Sequence, residues 1–309
     1  MPLQLPDYLN SVEFMRLRIT LEFVEDIELP LAALLTLRRE LLEAARSLDK
    51  QFGGDFTHLL TPHLGTDPAV IRRFQKPSPP LVFEIDPEMV GSYVAGDQLQ
   101  IGVLLLGNAI TEAQSLLRIL ARLGEIGLHK GGGRYELIAI DSLRPDGTTL
   151  PVWAEGQPWN TLEFLVDPFS WWFEAQRLDA VTFEFITPAR LVSGGKPLFC
   201  PTFKNLFPFI LRRVGSQLSA YCFIEIDDMN SLLDAAAQVQ VEDNRLRWKD
   251  WKLFAAREKN RELGGFMGSL TCSGSPLNDL LWVLRLGELF NVGKNAAWGA
   301  GRFKLNFSS

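Results

Sequence analysis

The chain has 309 residues, 47% of them hydrophobic, with 37 acidic against 31 basic side chains and a formal net charge of −6. That length allows one large domain or two of ordinary size, and the acidic balance excludes a uniformly basic surface, so any polyanion site must be a local basic stripe. The three cysteines, Cys200, Cys222 and Cys272, are scattered and odd in number, which argues against a disulfide framework and fits a reducing cytoplasm. The opening MPLQLPDYLN lacks the marks of a signal peptide, and no apolar run reaches bilayer length, so no membrane association is expected.

In chain order, residues 14–25 (FMRLRITLEFVE) alternate and are rich in strand formers. Pro30 opens LPLAALLTLRRELLEAARSLDK, whose leucines fall at helical spacing; proline at a helix start gives up no needed donor. Residues 50–80 hold Pro62, Pro68, Pro77, Pro79 and Pro80 and read as loop. Strands near 81–86 and 98–106, a helix over 110–123 and a strand over 134–141 complete a βαββαβ order. That order predicts a ferredoxin-like domain over residues 1–142, with helices on one face of an antiparallel sheet. Residues 143–178, with Pro145, Pro151, Pro158 and the run FSWWF at 169–173, read as an aromatic, packed linker with a short helix. The order then recurs over 179–309: a strand at 180–187, a helix at 202–221 with a kink expected at Pro208, strands at 238–249 and 264–272, a helix at 278–290, and a strand at 301–307. The predicted class is α+β, with two tandem ferredoxin-like domains.

The recurrence extends to local detail. Residues 116–137 (LLRILARLGEIGLHKGGGRYEL) and 284–307 (LRLGELFNVGKNAAWGAGRFKLNF) share an ordered set of landmarks. Each has a leucine helix, Leu-Gly-Glu, a glycine, a lysine, a second glycine cluster, and Gly-Arg-aromatic-x-Leu. This reads as one supersecondary unit used twice. Glycine permits tight turns and close approach of backbone to phosphate oxygens, and successive N–H groups form anion-binding nests. Gly293, Gly299 and Gly301, with Lys294 and Arg302 in the second loop and Lys130 and Arg134 in the first, are therefore candidates for phosphate contact; packing of helix against strand is the plainer alternative. GxxxxGK[ST] is absent, which disfavours ATP or GTP. The most basic segment, RLRWKDWKLFAAREKNR at 245–261, carries Arg245, Arg247, Lys249, Lys252, Arg257 and Lys259 interleaved with Trp248 and Trp251. Basic residues among aromatics suit phosphate contact with base stacking, although a solvated face with inward tryptophans has the same pattern. Arg212-Arg213 would widen such a patch.

The chain resembles the CRISPR-associated repeat-RNA endoribonucleases, the Cas-six family of the RAMP superfamily. The resemblance is carried by the loop Gly293-Lys294 to Gly299-Ala300-Gly301 after LLWVLRLGELF, and by Tyr93-Val94-Ala95-Gly96-Asp97. It also rests on Thr187-Pro188-Ala189-Arg190-Leu191, on Arg247-Trp248-Lys249-Asp250-Trp251, and on Leu263-Gly264-Gly265-Phe266-Met267-Gly268. It implies two ferredoxin-like domains, binding of CRISPR repeat RNA, and cleavage without a metal or cofactor by the substrate's own 2′-hydroxyl. It leaves open a non-catalytic RNA-binding subunit of a CRISPR assembly, or a subunit that contacts only other CRISPR effector proteins. Such cleavage needs a proton acceptor and donor, which suits histidine, and a cation for the phosphorane charge. The only histidines are His58, His63 and His129. Family members often place one in or just after the first helix, and here none lies within 30–49. His58 and His63 follow in FTHLLTPHLG and are the first and second candidates; His129 lies on the first glycine loop. Arg39, with Arg38, is the candidate charge stabiliser on the first helix, with pairing to Glu40 or Glu43 as the plainer alternative.

Overall fold

A computed structural model describes residues 5–30, 33, 37–62, 78–159, 162–173, 178–251 and 263–308. Its first half is built on β1 (Glu13–Phe23), the central strand of its sheet. Alternation along β1 sends Met15, Leu17, Ile19, Leu21 and Phe23 into one core. The sheet continues with β2 (Leu81–Glu84), β3 (Gln98–Leu106), β4 (Tyr135–Leu143) and β5 (Thr149–Ala154), in the order β2-β3-β1-β4-β5 with neighbours antiparallel. The first four strands have the arrangement of a βαββαβ unit. Helices α1 (Leu37–Phe52) and α2 (Ala113–Ile126) close one face. Leu37, Leu41, Ala44, Ala45 and Leu48 of α1 meet Leu116, Leu117, Leu120 and Leu123 of α2 there. Each fully buried leucine is worth about 1.5–3 kcal/mol relative to exposure, so this helical spacing is what fixes the pair on the sheet.

The second half repeats the plan with β6 (Ala180–Ala189), α3 (Phe203–Cys222), α4 (Met229–Ala237), β7 (Gln240–Asn244), β8 (Arg247–Trp251), β9 (Leu263–Ser273), α5 (Leu277–Phe290) and β10 (Phe303–Ser308). The sheet order is β7-β9-β6-β10, and β8 pairs with β9 beyond β7. The single strand expected over 238–249 is thus two strands. The break has a local cause. Gly268, opposite it, has φ +112°, and a Cβ there would lie 2.5 Å from the Arg245 carbonyl oxygen. The β6–β9 register also shifts at this point, as a bulge would make it.

Residues 143–178, expected as a linker, supply β5 to the first sheet, and Asp167–Pro168 pairs with the start of β1. The aromatic run makes a single helical turn, Phe169–Trp172. Helix α4 was not expected: only Leu232 and Ala236 of its nine residues are buried, too short a stripe to register as periodicity.

The halves are joined by packing. Phe14, Val82, Leu104 and Leu106 belong to the second core, whereas Ala297 and Trp298 belong to the first. Trp298 stacks on Phe83 of β2 at 5.9 Å between ring centroids. Among the described residues, no helix is long and apolar enough to cross a membrane.

Candidate nucleic-acid interface

The twin glycine loops have one construction at two sizes. After α2, Gly127 takes φ +109° and the Leu128 N–H donates to the Gly133 carbonyl at 3.1 Å. After α5, the Val292 N–H donates to the Gly301 carbonyl, also at 3.1 Å. The larger loop is stapled to β6. The Thr187 hydroxyl, fully buried, donates to the Gly299 carbonyl (2.6 Å) and accepts from the Arg302 N–H (2.8 Å). The Gly301 N–H donates to the Pro188 carbonyl and the Lys294 N–H to the Arg190 carbonyl. Glycine is required at two of these positions. A Cβ at Gly301 would lie 1.8 Å from the Val292 oxygen, and one at Gly299 2.2 Å from Cγ1 of Ile85. Both glycines are buried, and what they permit here is the close seating of this loop against protein, on the Val292 backbone and on Ile85 of the first half.

What the loop presents outward is Gly293, Lys294 and Asn295. With α1, α3 and the turn after β6 they line a cleft of about 580 Å³ between the two halves. Its cationic walls are Arg38 from α1, Arg190 after β6, Arg212 and Arg213 from α3, and Lys294. No Asp or Glu is among its described lining residues. Five cations with no carboxylate among the described lining residues form a field that favours an anion. Arg213 is the most unusual. Its Nε donates to the Phe290 carbonyl (3.3 Å), but its Nη2 is buried without a hydrogen-bond partner among the described residues. Burial lowers its pKa to about 10, which still leaves the guanidinium charged at neutral pH. A buried charge with a donor left over costs stability unless something external completes it. The cleft floor is fixed from α3, where the Tyr221 hydroxyl donates to the Ser78 carbonyl (2.6 Å) and the Gln217 amide reaches the Ser78 and Pro79 carbonyls.

The structure brings some of the expected residues to this cleft and leaves others elsewhere. Gly293 and Lys294 line it. His58 is exposed on the turn Thr57–Leu60, whose Leu60, with Thr61 and Pro62 beyond, forms part of the rim. Arg39 does not line the cleft; its Nη2 pairs with the buried Glu40 carboxylate at 2.6 Å. His129, Lys130 and Arg134 are on the smaller loop. There Arg134 pairs with Glu25 at 2.9 Å. The buried Nδ1 of His129 has no hydrogen-bond partner among the described residues. Burial, with Lys130 adding to it and Glu40 opposing, lowers the His129 pKa. Arg302 lies at the seam, its Nη1 donating to the Ile85 carbonyl (3.0 Å) near Asp86 and Glu84. Arg245 pairs with Asp243 at 2.6 Å, and Arg247 and Lys249 are exposed on β8. His63, Lys252, Arg257 and Lys259 lie outside the described residues. Sequence reasoning overlooked Arg190 as a cation of the site and treated Arg212-Arg213 as an extension of the basic segment. The signal that pointed to them was the charged pair itself, set inside the apolar helix stretch FILRRVG. Among the described residues, no three His, Cys, Asp or Glu side chains gather as a metal-binding group would.

Residues 183–303 match the family model of the CRISPR-associated endoribonuclease Cas6, and a second family model, an N-terminal domain, matches residues 55–164. No curated protein matches the chain. Among solved structures, a partial Cas6-RT-Cas1–Cas2 complex aligns with 96% of this chain at TM-score 0.55 and 18% identity. The chain spans about half, 46%, of that longer polypeptide. A Cas6 product complex aligns over 95% of this chain and 100% of its own, at TM-score 0.56 and 16% identity. Thermus thermophilus Cas6 aligns over 96% and 99%, at TM-score 0.55 and 13% identity. At these identities the likeness is one of fold: the tandem ferredoxin-like arrangement.

Proposed function

We propose that the chain is a member of the Cas6 family of CRISPR-associated endoribonucleases, whose model matches residues 183–303, and that it binds CRISPR repeat RNA in the cleft and cuts it there without a metal. The observation that carries this reading is the cationic cleft itself. Arg38, Arg190, Arg212, Arg213 and Lys294 converge from both halves with no carboxylate among the described lining residues, and the Arg213 Nη2 has no hydrogen-bond partner among those residues. In the reaction proposed, the 2′-hydroxyl gives its proton to a base as its oxygen bonds to phosphorus. The bond from phosphorus to the 5′-oxygen breaks, and that oxygen takes up a proton. The products are a 2′,3′-cyclic phosphate and a 5′-hydroxyl. The cleft cations counter the charge that builds on the phosphorane. His58, beside the rim, is the first candidate for the proton transfers, with His63 and His129 as the others. Lys130, Arg134, Arg245, Arg247, Lys249, Lys252, Arg257, Lys259 and Arg302 extend the proposed RNA path.

Repeat RNA is thus the expected partner. A solved assembly of a similar Cas6 with Cas1 and Cas2 supports other CRISPR subunits as further partners, and the cytoplasm is the proposed compartment. The test is incubation of the pure protein with its genomic repeat RNA in EDTA. Cut product ending in a cyclic phosphate is the expected outcome. Binding without cutting would replace this reading with that of a non-catalytic RNA-binding subunit, and neither binding nor cutting would remove RNA from the account.

A further inference from the structure

One wall of the cleft continues onto the second sheet. Arg190 lines the cleft, and its guanidinium lies 5.8 Å from the ring centroid of Trp248 on β8. Trp248 is laid across the neighbouring strand: a Cβ on Gly264 would come within 2.9 Å of the indole Cζ2. Its polar edge is satisfied, since the indole N–H donates to Asp250 Oδ1 at 2.6 Å. Against this ring packs Phe199, with centroids 4.7 Å apart and planes at 56°.

Phe199 nevertheless remains 56% exposed, and its backbone is fixed on both sides. The Leu198 N–H donates to the Leu191 carbonyl (2.9 Å), and the Asn244 amide donates to the Pro201 carbonyl (3.1 Å). A core phenylalanine would be covered, and a phenylalanine on a loose surface loop would not be held from either end. This one is an open aromatic face, held in place by another ring. Arg247 and Lys249 are exposed on the same strand as Trp248. The carboxylates beside them are engaged, Asp250 with the indole and Asp243 with Arg245.

We propose that Phe199 is a stacking platform for an unpaired base of the RNA, one whose neighbouring phosphates run along Arg190 into the cleft. An aromatic face beside cations is the chemistry that takes up single-stranded RNA, and it is tolerant of sequence because every base has a π-face. Trp248 acts as a positioning residue that sets the Phe199 ring. The proposal rests on the cleft reading but is separable from it by experiment.

The probe is a single-stranded RNA of about twelve nucleotides, within the reach of such surfaces, carrying 2-aminopurine at successive positions. With the full chain, one position should be quenched on binding. Phe199→Ala should weaken binding about tenfold and abolish that quenching, the scale of one base stack removed. Phe199→Trp should restore both. Phe199→Leu, which keeps apolar contact with Trp248 but lacks a π-face, should behave as the alanine variant does. Lys294→Ala should weaken binding yet leave the quenching of bound RNA intact. If Phe199→Ala or Phe199→Leu binds and quenches as wild type while Lys294→Ala binds weakly, the platform is wrong and the cleft reading stands. If wild type binds no RNA, the cleft reading fails and takes the platform with it.

Discussion

Arg213 is the residue at which stability and the proposed RNA binding would trade against each other. Its charge is buried on α3 with Nη2 unpartnered among the described residues, and such a group opposes folding. Arg213→Met, of similar length and apolar, should raise the free protein's stability by about 1–4 kcal/mol in urea titrations while weakening RNA binding. A variant both less stable and unaltered in RNA binding would show that the arginine is a packing element. Lys294→Ala and Arg212→Ala, at more exposed sites, should leave stability nearly unchanged. Each should lower the slope of log affinity against log salt by about one unit for every phosphate it no longer neutralises. For the proton transfers, His58→Ala should slow single-turnover cleavage by roughly 10²-fold or more with little change in affinity. The paired variants His63→Ala and His129→Ala locate the chemistry if His58 proves dispensable. His129 carries its own signature. Its pKa is lowered from 6.5, so the folded state holds its proton less tightly than the unfolded chain does. Stability is therefore complete above the ordinary histidine range and lost as pH falls below it. Wild type should lose thermal stability relative to His129→Phe between about pH 7 and pH 5.

At the scale of elements, the 291–302 loop anchors one half of the molecule in the other. Trp298 is 3% exposed and stacked on Phe83. Trp298→Ala should cost about 3–5 kcal/mol, measured by chemical denaturation, and should impair cleavage although it removes no charge. Gly301→Val is expected to do more damage, because both the positive φ and the Val292 oxygen oppose a branched side chain; a stable, fully active variant would contradict this account. The elements themselves were largely legible in sequence. The alternation of 180–187 and the leucine spacing of 110–123 report burial on one face, and the dense apolar run of 278–290 reports a helix buried on most of its sides; each is a local property. The duplicated loop was legible for the same reason, since closing a helix onto a strand demands glycine at fixed places. The division of one strand into β7 and β8 was not, because its cause is Gly268 on a different strand. Strand β5 was hidden for a related reason: three prolines nearby masked a segment whose pairing partner, β4, lies in the preceding unit.

For the whole molecule, the acidic total conceals a strongly polarised surface. A chain of net charge −6 whose described cleft lining is free of carboxylates should bind RNA with steep salt dependence, falling by orders of magnitude between low and moderate salt. Affinity that holds constant across that range would contradict an electrostatic cleft. The cleft was only partly legible because its cations come from positions 38, 190, 212, 213 and 294. Only the folded topology sets these side by side, and no local run announces them. Lys294 was found through its glycine loop, and Arg190 was passed over because one arginine after a strand is unremarkable until its neighbours are known.

The exchange of core residues between the halves also bears on the order in which the protein is made. Ile85 and Arg302, joined by a hydrogen bond at the seam, are 217 positions apart in the chain, and Trp298 is almost as remote from the Phe83 ring it covers. A ribosome delivers the first sheet long before the loop that finishes its core. Until then Phe83 lacks the ring that stacks on it, and the nascent first half carries an open apolar edge of the kind that invites misassembly. Translation of the second half thus supplies the first with its last core side chain. The cationic cleft, which needs both, comes into being only once that distant pairing has closed.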